Sequence, residues 1–528
     1  MDAPSSSLAK LHAVAEAPSS LATLPAALHS LVDSPSSELV LAAAELQALA
    51  PVADAPSRGL ASVPAVLLPE VVRWQSSPLD IGRLDCTARL FHLGAPRSAV
   101  EEGLRLRAED AGRAVEETLP DGETSWSQCL LWEERRLLAR TRPVASSGAT
   151  HSAFVDAGGQ LLTCGTDGGG ACVLGQGEGV EESAVPRAVV GLGDVRMRTV
   201  AVGDHHTLAC SDEGVVYSFG LGDEGRLGHG DEARQHTPKV IETLKGVHIS
   251  VVAAGWRHSL ALSVTGELYS CGNGQCGALG HGDHAHQHGD HAHQHTPRLV
   301  GALHGVRISA VAASLLHSLA LSEAGEVYSF GQGRYGLLGH GDEANQRTPL
   351  PIAALQGVRV CGVAAGEMHS LVVSTSGRSY SFGHGGDGAL GHGVCAAQHS
   401  PRLVEALHGV RVLAVAAGQF HSLALSVAGE VYSFGRGDSG ELGHGDMAGQ
   451  RQLTPRMIAG LQGVRVCSVT AGDGTSLTVT VGGEVYGWGC AFDGEGGSLG
   501  ALGLELTNDH LVPCKYPGLR LLTCVPAQ

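Results

Sequence analysis

The chain has 528 residues, enough for one large domain and a second, smaller one. Its formal net charge of −18, with 53 acidic against 35 basic residues, argues against a chain whose main work is coating nucleic acid. The 13 cysteines form no Cys-x-x-Cys pair, no apolar run is long enough for a membrane span, and the N-terminus lacks the apolar core of a signal peptide. Together these point to a reducing compartment, cytoplasmic or nuclear.

Residues 1–66 form a region rich in Ala, Leu, Ser and Pro, loosely ordered before Ser34. Ser34 as N-cap and Pro35 at the first helical position start a predicted helix that runs to about Leu49 and stops before Pro51. Residues 67–145 have a helical character, with Leu68-Pro69, Asp80-Ile81, Leu84 and Arg89-x-Phe91 in a recognisable order. This order resembles an F-box, the helical module that docks on the Skp adaptor of cullin ubiquitin ligases. The resemblance implies adaptor contact through Leu68, Pro69, Ile81 and Leu84, although the segment between Leu-Pro and Asp-Ile is shorter than the family pattern. A helical cap packed on the following domain is the other reading. Two further helices are predicted, over 99–118 with Val100, Leu104, Ala108 and Ala111 on one face, and over 126–140.

From residue 146 to 528 a unit recurs seven times. Its anchors are His151, His206, His258, His317, His369, His421 and Thr475, spaced 55, 52, 59, 52, 52 and 54 residues apart. Each anchor follows a glycine by three residues, except that Ser314 stands before His317. A period near 50 residues marks a repeat architecture. In the clearest unit, from Gly418, Ser422 to Ser426 alternates as a half-buried strand and Glu430 to Phe434 returns as its hairpin partner. A glycine-rich loop, a third strand over Pro455 to Ile458 and a fourth over Val464 to Val469 complete the unit. Four short antiparallel strands repeated radially describe an all-β, seven-bladed β-propeller. Leu519 to Val525 supplies its last strand, and Arg142 to Val144 is available as an edge strand.

The motifs Gly255-Trp256-Arg257-His258-Ser259, Tyr328-Ser329-Phe330-Gly331 and Gly388-Ala389-Leu390-Gly391-His392-Gly393 resemble the regulator of chromosome condensation repeat family. That resemblance implies the propeller fold, and it implies a partner docked on one face of the disc. It leaves function open, because one fold hosts many functions.

Several motifs look chemical and are read as structural. Gly331-Gln332-Gly333-Arg334-Tyr335-Gly336 has dinucleotide-site spacing but precedes a loop rather than a helix, so it is turn chemistry. His229, His281, His340, His392 and His444 fill the Leu-Gly-His-Gly slot and are expected to satisfy buried backbone groups. Cys164 and Cys271 take a slot held by Phe in other blades and read as core hydrophobes. The duplicated GDHAHQH from Gly282 to His295 gathers six histidines, and slippage in a permissive loop is preferred over a metal site. No nucleophile elbow or His-Glu-x-x-His helix is present, so no enzyme, cofactor or metal is expected.

What varies is the pair of residues before each anchor: Asp204-His205, Trp256-Arg257, Leu315-Leu316, Glu367-Met368, Gln419-Phe420 and Asp473-Gly474. An apolar arc of Trp256, Leu315, Leu316, Met368 and Phe420, rimmed by Asp204, Arg257, Glu367 and Asp473, has the composition of a protein-binding patch. Trp256, Arg257, Leu315, Leu316, Glu367, Met368, Gln419 and Phe420 are the candidate partner-binding residues. The competing reading turns them inward to plug the central channel. Three functions fit the resemblance: a non-catalytic interaction scaffold, one form of which is a substrate receptor of a cullin ligase, an exchange factor for a Ran-like small GTPase, and a UV-B photoreceptor. The last would need clustered tryptophans. The five present are Trp74, Trp126, Trp132, Trp256 and Trp488, and of these only Trp256 lies in the matching motif.

Overall fold

The computed structural model describes residues 144–167, 170–282, 293–446, 451–490, 502 and 510–521. The chain divides into Met1–Glu133 and Glu134–Gln528, and the described residues all belong to the second unit. The predicted helices of the N-terminal third and the F-box-like residues Leu68, Pro69, Ile81 and Leu84 lie outside them.

The second unit is an all-β propeller of seven four-stranded antiparallel sheets. The innermost strands run Ala145–Ser147, Met197–Val202, Ile249–Ala254, Ile308–Ala313, Val360–Ala365, Val412–Ala417 and Val466–Ala471, for blades 1 to 7 in order. The second strands start at the anchors, as in His258–Ser263 and His317–Ser322, and are buried along their whole length. Third strands such as Val327–Gly331 follow, and outer strands such as Gln346–Pro351 pair with them.

The blade boundary differs from the repeat boundary. The strand predicted as the fourth of the Gly418 unit is observed as Val466–Ala471, and it pairs with Thr475–Thr480. It is therefore the inner strand of the next blade. Each sequence repeat spans three strands of one sheet and one of its neighbour. The two ends differ from expectation for the same reason. The first strand, Ala145–Ser147, is the inner edge strand of blade 1 and lies just after the predicted Arg142 to Val144, and the last outer strand is His510–Arg520, earlier than predicted. Among the described residues no strand is exchanged across the seam, because each sheet is built from consecutive strands.

Adjacent blades are joined through their interiors. Phe219, Phe330, Phe382, Phe434 and Trp488 are completely buried, and so is Cys164, while Cys271 is nearly so. At Gly339 a Cβ would come within 3.0 Å of Phe382 in the next blade, and φ is +76°, so only glycine allows this approach.

The anchors form an inter-blade ladder. His151 Nε2 meets Thr207 Oγ1 at 2.7 Å, and His206, His258, His317, His369 and His421 meet Ser259, Ser318, Ser370, Ser422 and Ser476 at 2.7–2.9 Å. Those serine hydroxyls donate to a loop carbonyl of the preceding blade, such as Ser318 to Ala278 O at 2.9 Å. Since each hydroxyl has one proton, Nε2–H must be the donor in the ladder. Burial accordingly lowers the imidazole pKa values, to about 3 for His317 and about 4 for His258, and the rings are neutral.

The Leu-Gly-His-Gly histidines use the same device. Ser329 Oγ donates to Leu338 O at 2.7 Å and accepts from His340 Nε2 at 2.9 Å, and the equivalent groups repeat this in blades 2, 3, 5 and 6. The expected backbone bond is thus made by a serine, with the histidine bonded to that serine.

Candidate interaction face

The variable pairs sit in the turns between first and second strands. The glycine-rich loops after the third strands lie beside them, at the same end of the disc. The second residue of each pair is tied to its loop by its carbonyl. Arg257 O accepts from Asn273 N at 2.8 Å, Leu316 O from Gln332 N at 2.9 Å, Met368 O from His384 N at 2.7 Å and Phe420 O from Arg436 N at 3.0 Å. The turn glycine makes close packing possible. A Cβ at Gly203 would lie 2.4 Å from Gly255 O in the next turn. Ser314, which breaks that rule, donates its hydroxyl to Gly366 O and so bonds the neighbour that glycine would merely approach.

All twelve residues of the variable pairs are half-buried. The arc of Trp256, Leu315, Leu316, Met368 and Phe420 therefore presents edges rather than free-standing side chains. Arg257 stacks over Trp256 at 4.0 Å and reaches Glu224 Oε1 at 2.9 Å. Arg436 lies over Phe420 at 5.5 Å and pairs with Asp438 at 2.6 Å. Tyr335, between blades 4 and 5, packs against His384 at 4.8 Å with Arg334 above it at 4.5 Å. The apolar surface is held by cation–π contacts whose charges are mostly matched locally.

Asp204, Glu367 and Asp473 come from blades 2, 5 and 7, and they act on one another electrostatically. Burial, reinforced by Asp204 and Glu367, pushes Asp473 up to about 7. Burial raises Glu367 as well, against a stabilising hydrogen bond from Gln419. Asp204 has His205 Nε2 at 3.3 Å.

Two charged groups below this face were not singled out from sequence. Arg226 and Glu441 occupy the slot filled by Ala278, Leu337 and Ala389 in the other interior blades, and both are nearly inaccessible. Arg226 donates to Asp223 O at 3.0 Å and Trp256 O at 3.3 Å, with Glu224 3.7 Å away. Glu441 accepts from Ser439 N at 2.8 Å, and burial raises its pKa to about 7. Their signal was present in the sequence, as a charge in an otherwise small apolar slot. Among the described residues no group of three or more His, Cys, Asp or Glu is placed to hold a metal. Most of the duplicated His tract lies outside the described residues, and His295 at its end pairs with Glu232 at 3.1 Å.

A ring of seven sheets with these loops defines a repeat propeller. The model of the RCC1-like domain matches residues 134–462, and the chain belongs to that family. The ultraviolet-B receptor UVR8 of Arabidopsis thaliana is 34% identical over 353 residues, covering 67% of this chain and 78% of the receptor. The E3 ubiquitin-protein ligase HERC2 of Homo sapiens is 37% identical over 345 residues, 64% of this chain but only 7% of that ligase. Among solved structures, Prp20p of Saccharomyces cerevisiae, described with its binding to Gsp1p and histones, superposes with a TM-score of 0.58 at 25% identity. That match covers 73% of this chain and 89% of Prp20p.

Proposed function

We propose that this chain is a protein-interaction disc that holds its partner on the face carrying the variable turns. The observation that carries the reading is a contrast. Ladder, core and loop bonds repeat from blade to blade, while the paired residues above them change in charge and size around the ring, as from Trp256-Arg257 and Leu315-Leu316 to Glu367-Met368. A purely structural end of the disc would have no reason to vary. The similarity to Prp20p, described as binding Gsp1p and histones, supports a protein partner.

The partner is sought by affinity capture with the full chain, compared with Trp256→Ala and Phe420→Ala. Aromatic residues dominate interface hot spots, so each truncation should weaken a captured partner by about 2 kcal/mol, roughly thirtyfold. Unchanged affinity in both folded variants removes this face as the site. Recovery of Skp and cullin, lost on changing Leu68, Pro69, Ile81 and Leu84, would favour the ligase-receptor role. Accelerated release of labelled nucleotide from a Ran-like GTPase would favour exchange. The photoreceptor reading has less support: of the two tryptophans among the described residues, Trp488 is buried in blade 7, donating to Glu441 O at 2.9 Å, and only Trp256 lies on the face.

A further inference from the structure

We propose that the blade 5 turn from Ser374 to Arg378, with Arg359 and Arg411 beside it, binds one phosphate group, carried on a phosphorylated serine or threonine of a protein partner. This turn joins the second and third strands of its blade, His369–Ser374 and Ser379–Gly383, and so lies at the end of the disc away from the variable pairs. The site is separate from the interaction face and does not rest on it.

A break in the repeat carries it. In blades 2 to 7 the loop before the inner strand ends in Arg196, His248, Arg307, Arg359, Arg411 and Arg465. Each carbonyl accepts from the N–H of the residue opening the turn of that blade, as Arg307 O from Glu323 and Arg359 O from Thr375. In blades 2 and 4 the opening residue is an acid, and Asp212 and Glu323 pair with their arginines at 3.5 and 3.4 Å. In blade 5 it is Thr375. The residue after the turn glycine is Glu267, Glu326, Glu430 or Glu484 in blades 3, 4, 6 and 7, and in blade 5 it is Arg378. Every other blade has an acid in this turn, whereas blade 5 has none and an added arginine. Arg411 packs its stem on the same turn, since a Cβ at Gly377 would lie 2.4 Å from Arg411 Cγ. Arg359 lies in the same way over Gly325, between the turns of blades 4 and 5. Arg359 and Arg378 are exposed, and among the described residues their side chains make no hydrogen bond or ion pair. Core packing does not explain the departure, because the adjoining Ser379 replaces the Val or Leu of other blades and buries a hydroxyl without a partner. Arginines gathered at one turn repel one another unless an anion joins them. A phosphate monoester brings a charge of about −1.5 to −2 and three acceptor oxygens, which guanidinium forks match. Glu326 and Glu430 in the flanking turns oppose a longer polyanion such as a nucleic acid strand, so a single phosphate is the better match.

The probe is a capped peptide of glycine and alanine with one central phosphoserine and a neutral dye. Two companion peptides carry serine or glutamate at that place. Binding to the full chain is read by fluorescence anisotropy at physiological salt. The phosphoserine peptide should bind about tenfold more tightly than either companion, a difference of ~1.4 kcal/mol. Arg378→Glu, which installs the residue of four other blades, should erase the preference while the melting temperature holds. Thr375→Glu, which gives Arg359 the acid partner of its counterparts, should weaken the preference by a separate route, and it decides if Arg378→Glu impairs folding. Arg465→Gln, at the equivalent place in blade 7, should leave the preference intact, as should Trp256→Ala and Phe420→Ala on the other face. Equal binding of the three peptides, or no binding of any, overturns the site. So does a preference that survives both Arg378→Glu and Thr375→Glu. Loss of the preference in Arg465→Gln would indicate diffuse attraction to basic surface, and loss in Trp256→Ala would put the phosphate on the variable face. Both results overturn the assignment. A short oligothymidylate that binds more tightly than the phosphopeptide, and depends on Arg378, would make nucleic acid the ligand and overturn the phosphoprotein partner.

Discussion

A serine hydroxyl, or that of Thr207 at His151, fixes the protonation of each anchor imidazole, because it spends its one proton on a carbonyl and can only accept from Nε2. The other ring nitrogen is left without a partner at His151, His206, His317, His369 and His421. A protonated ring would bury an unmatched N–H and a charge together. Ser318→Ala tests this. It removes the acceptor of His258 and the donor to Ala278 O in one step, and should cost about 1–3 kcal/mol in denaturant unfolding. A cost within error would show that the ladder is incidental.

The pH dependence follows with its sign. The anchors titrate near 6.5 when unfolded but at about 3 for His151, His317 and His369 and about 4 for His258 and His421 when folded. Their contribution is whole above pH 6.5 and is lost as pH falls toward 4. Asp473 and Glu441, raised to about 7, work in the opposite sense. Their contribution is whole below their unfolded values and is lost as pH rises toward 7. The histidines outnumber the acids, so melting temperature should climb steeply from pH 4 to 6 and sag slightly toward 7.5. Asp473→Asn should reduce the sag. A melting temperature that falls between pH 5 and 6.5 would contradict the neutral ladder.

At the scale of the element, the hairpins were legible because alternation and turn residues mark them locally. The blade was not, because assigning a strand to a sheet depends on pairing across the Gly-x-x-His turn. Val466–Ala471 lies next to the Gly418 unit in sequence, yet its hydrogen bonds go forward. Loop strain was equally hidden. Glu224, Cys276 and Tyr335 hold the left-handed conformation in equivalent turns, with φ of 62°, 57° and 59°. Glu224 and Tyr335 gain an ion pair and a stacking contact there. Cys276 gains less, so Cys276→Gly should stabilise the fold by about 1 kcal/mol, the usual left-handed penalty. Lower stability, read as a reduced denaturation midpoint, would mean that the thiol's own contacts outweigh the strain.

For the whole molecule, seven units, their spacing and the face with variable turns could be read from the chain, since each is a periodic pattern or its interruption. The electrostatic influence of Asp204 and Glu367 on Asp473 could not, because charges on blades 2, 5 and 7 come within reach of one another only when the ring closes. Closure itself uses an improvised link. Blade 7 carries Thr475 where the others carry histidine, and a threonine is too short to reach Ser152 in blade 1. Ser147 spans the gap, meeting Thr475 Oγ1 at 2.7 Å and accepting from Ser152 Oγ at 2.9 Å. In the equivalent strand position blades 3 to 7 have Ala254, Ala313, Ala365, Ala417 and Ala471. The seam also holds through Phe154 against Tyr516 at 5.4 Å and the bridge between Asp156 and Leu521.

If the two hydroxyls of Thr475 and Ser147 stand in for one imidazole, the two substitutions at the seam are coupled. Ser147→Ala alone strands the hydroxyls of Thr475 and Ser152 and should cost about 1–3 kcal/mol. Thr475→His alone forces a ring against the Ser147 hydroxyl and should also destabilise. Made together, they recreate the imidazole-to-hydroxyl rung found at the other six junctions, and the pair should cost less than either change singly. The coupling from a double-mutant cycle should fall in the 0.5–3 kcal/mol range of contacting residues. Simple additivity in that cycle would mean that the seam is closed by its apolar core alone.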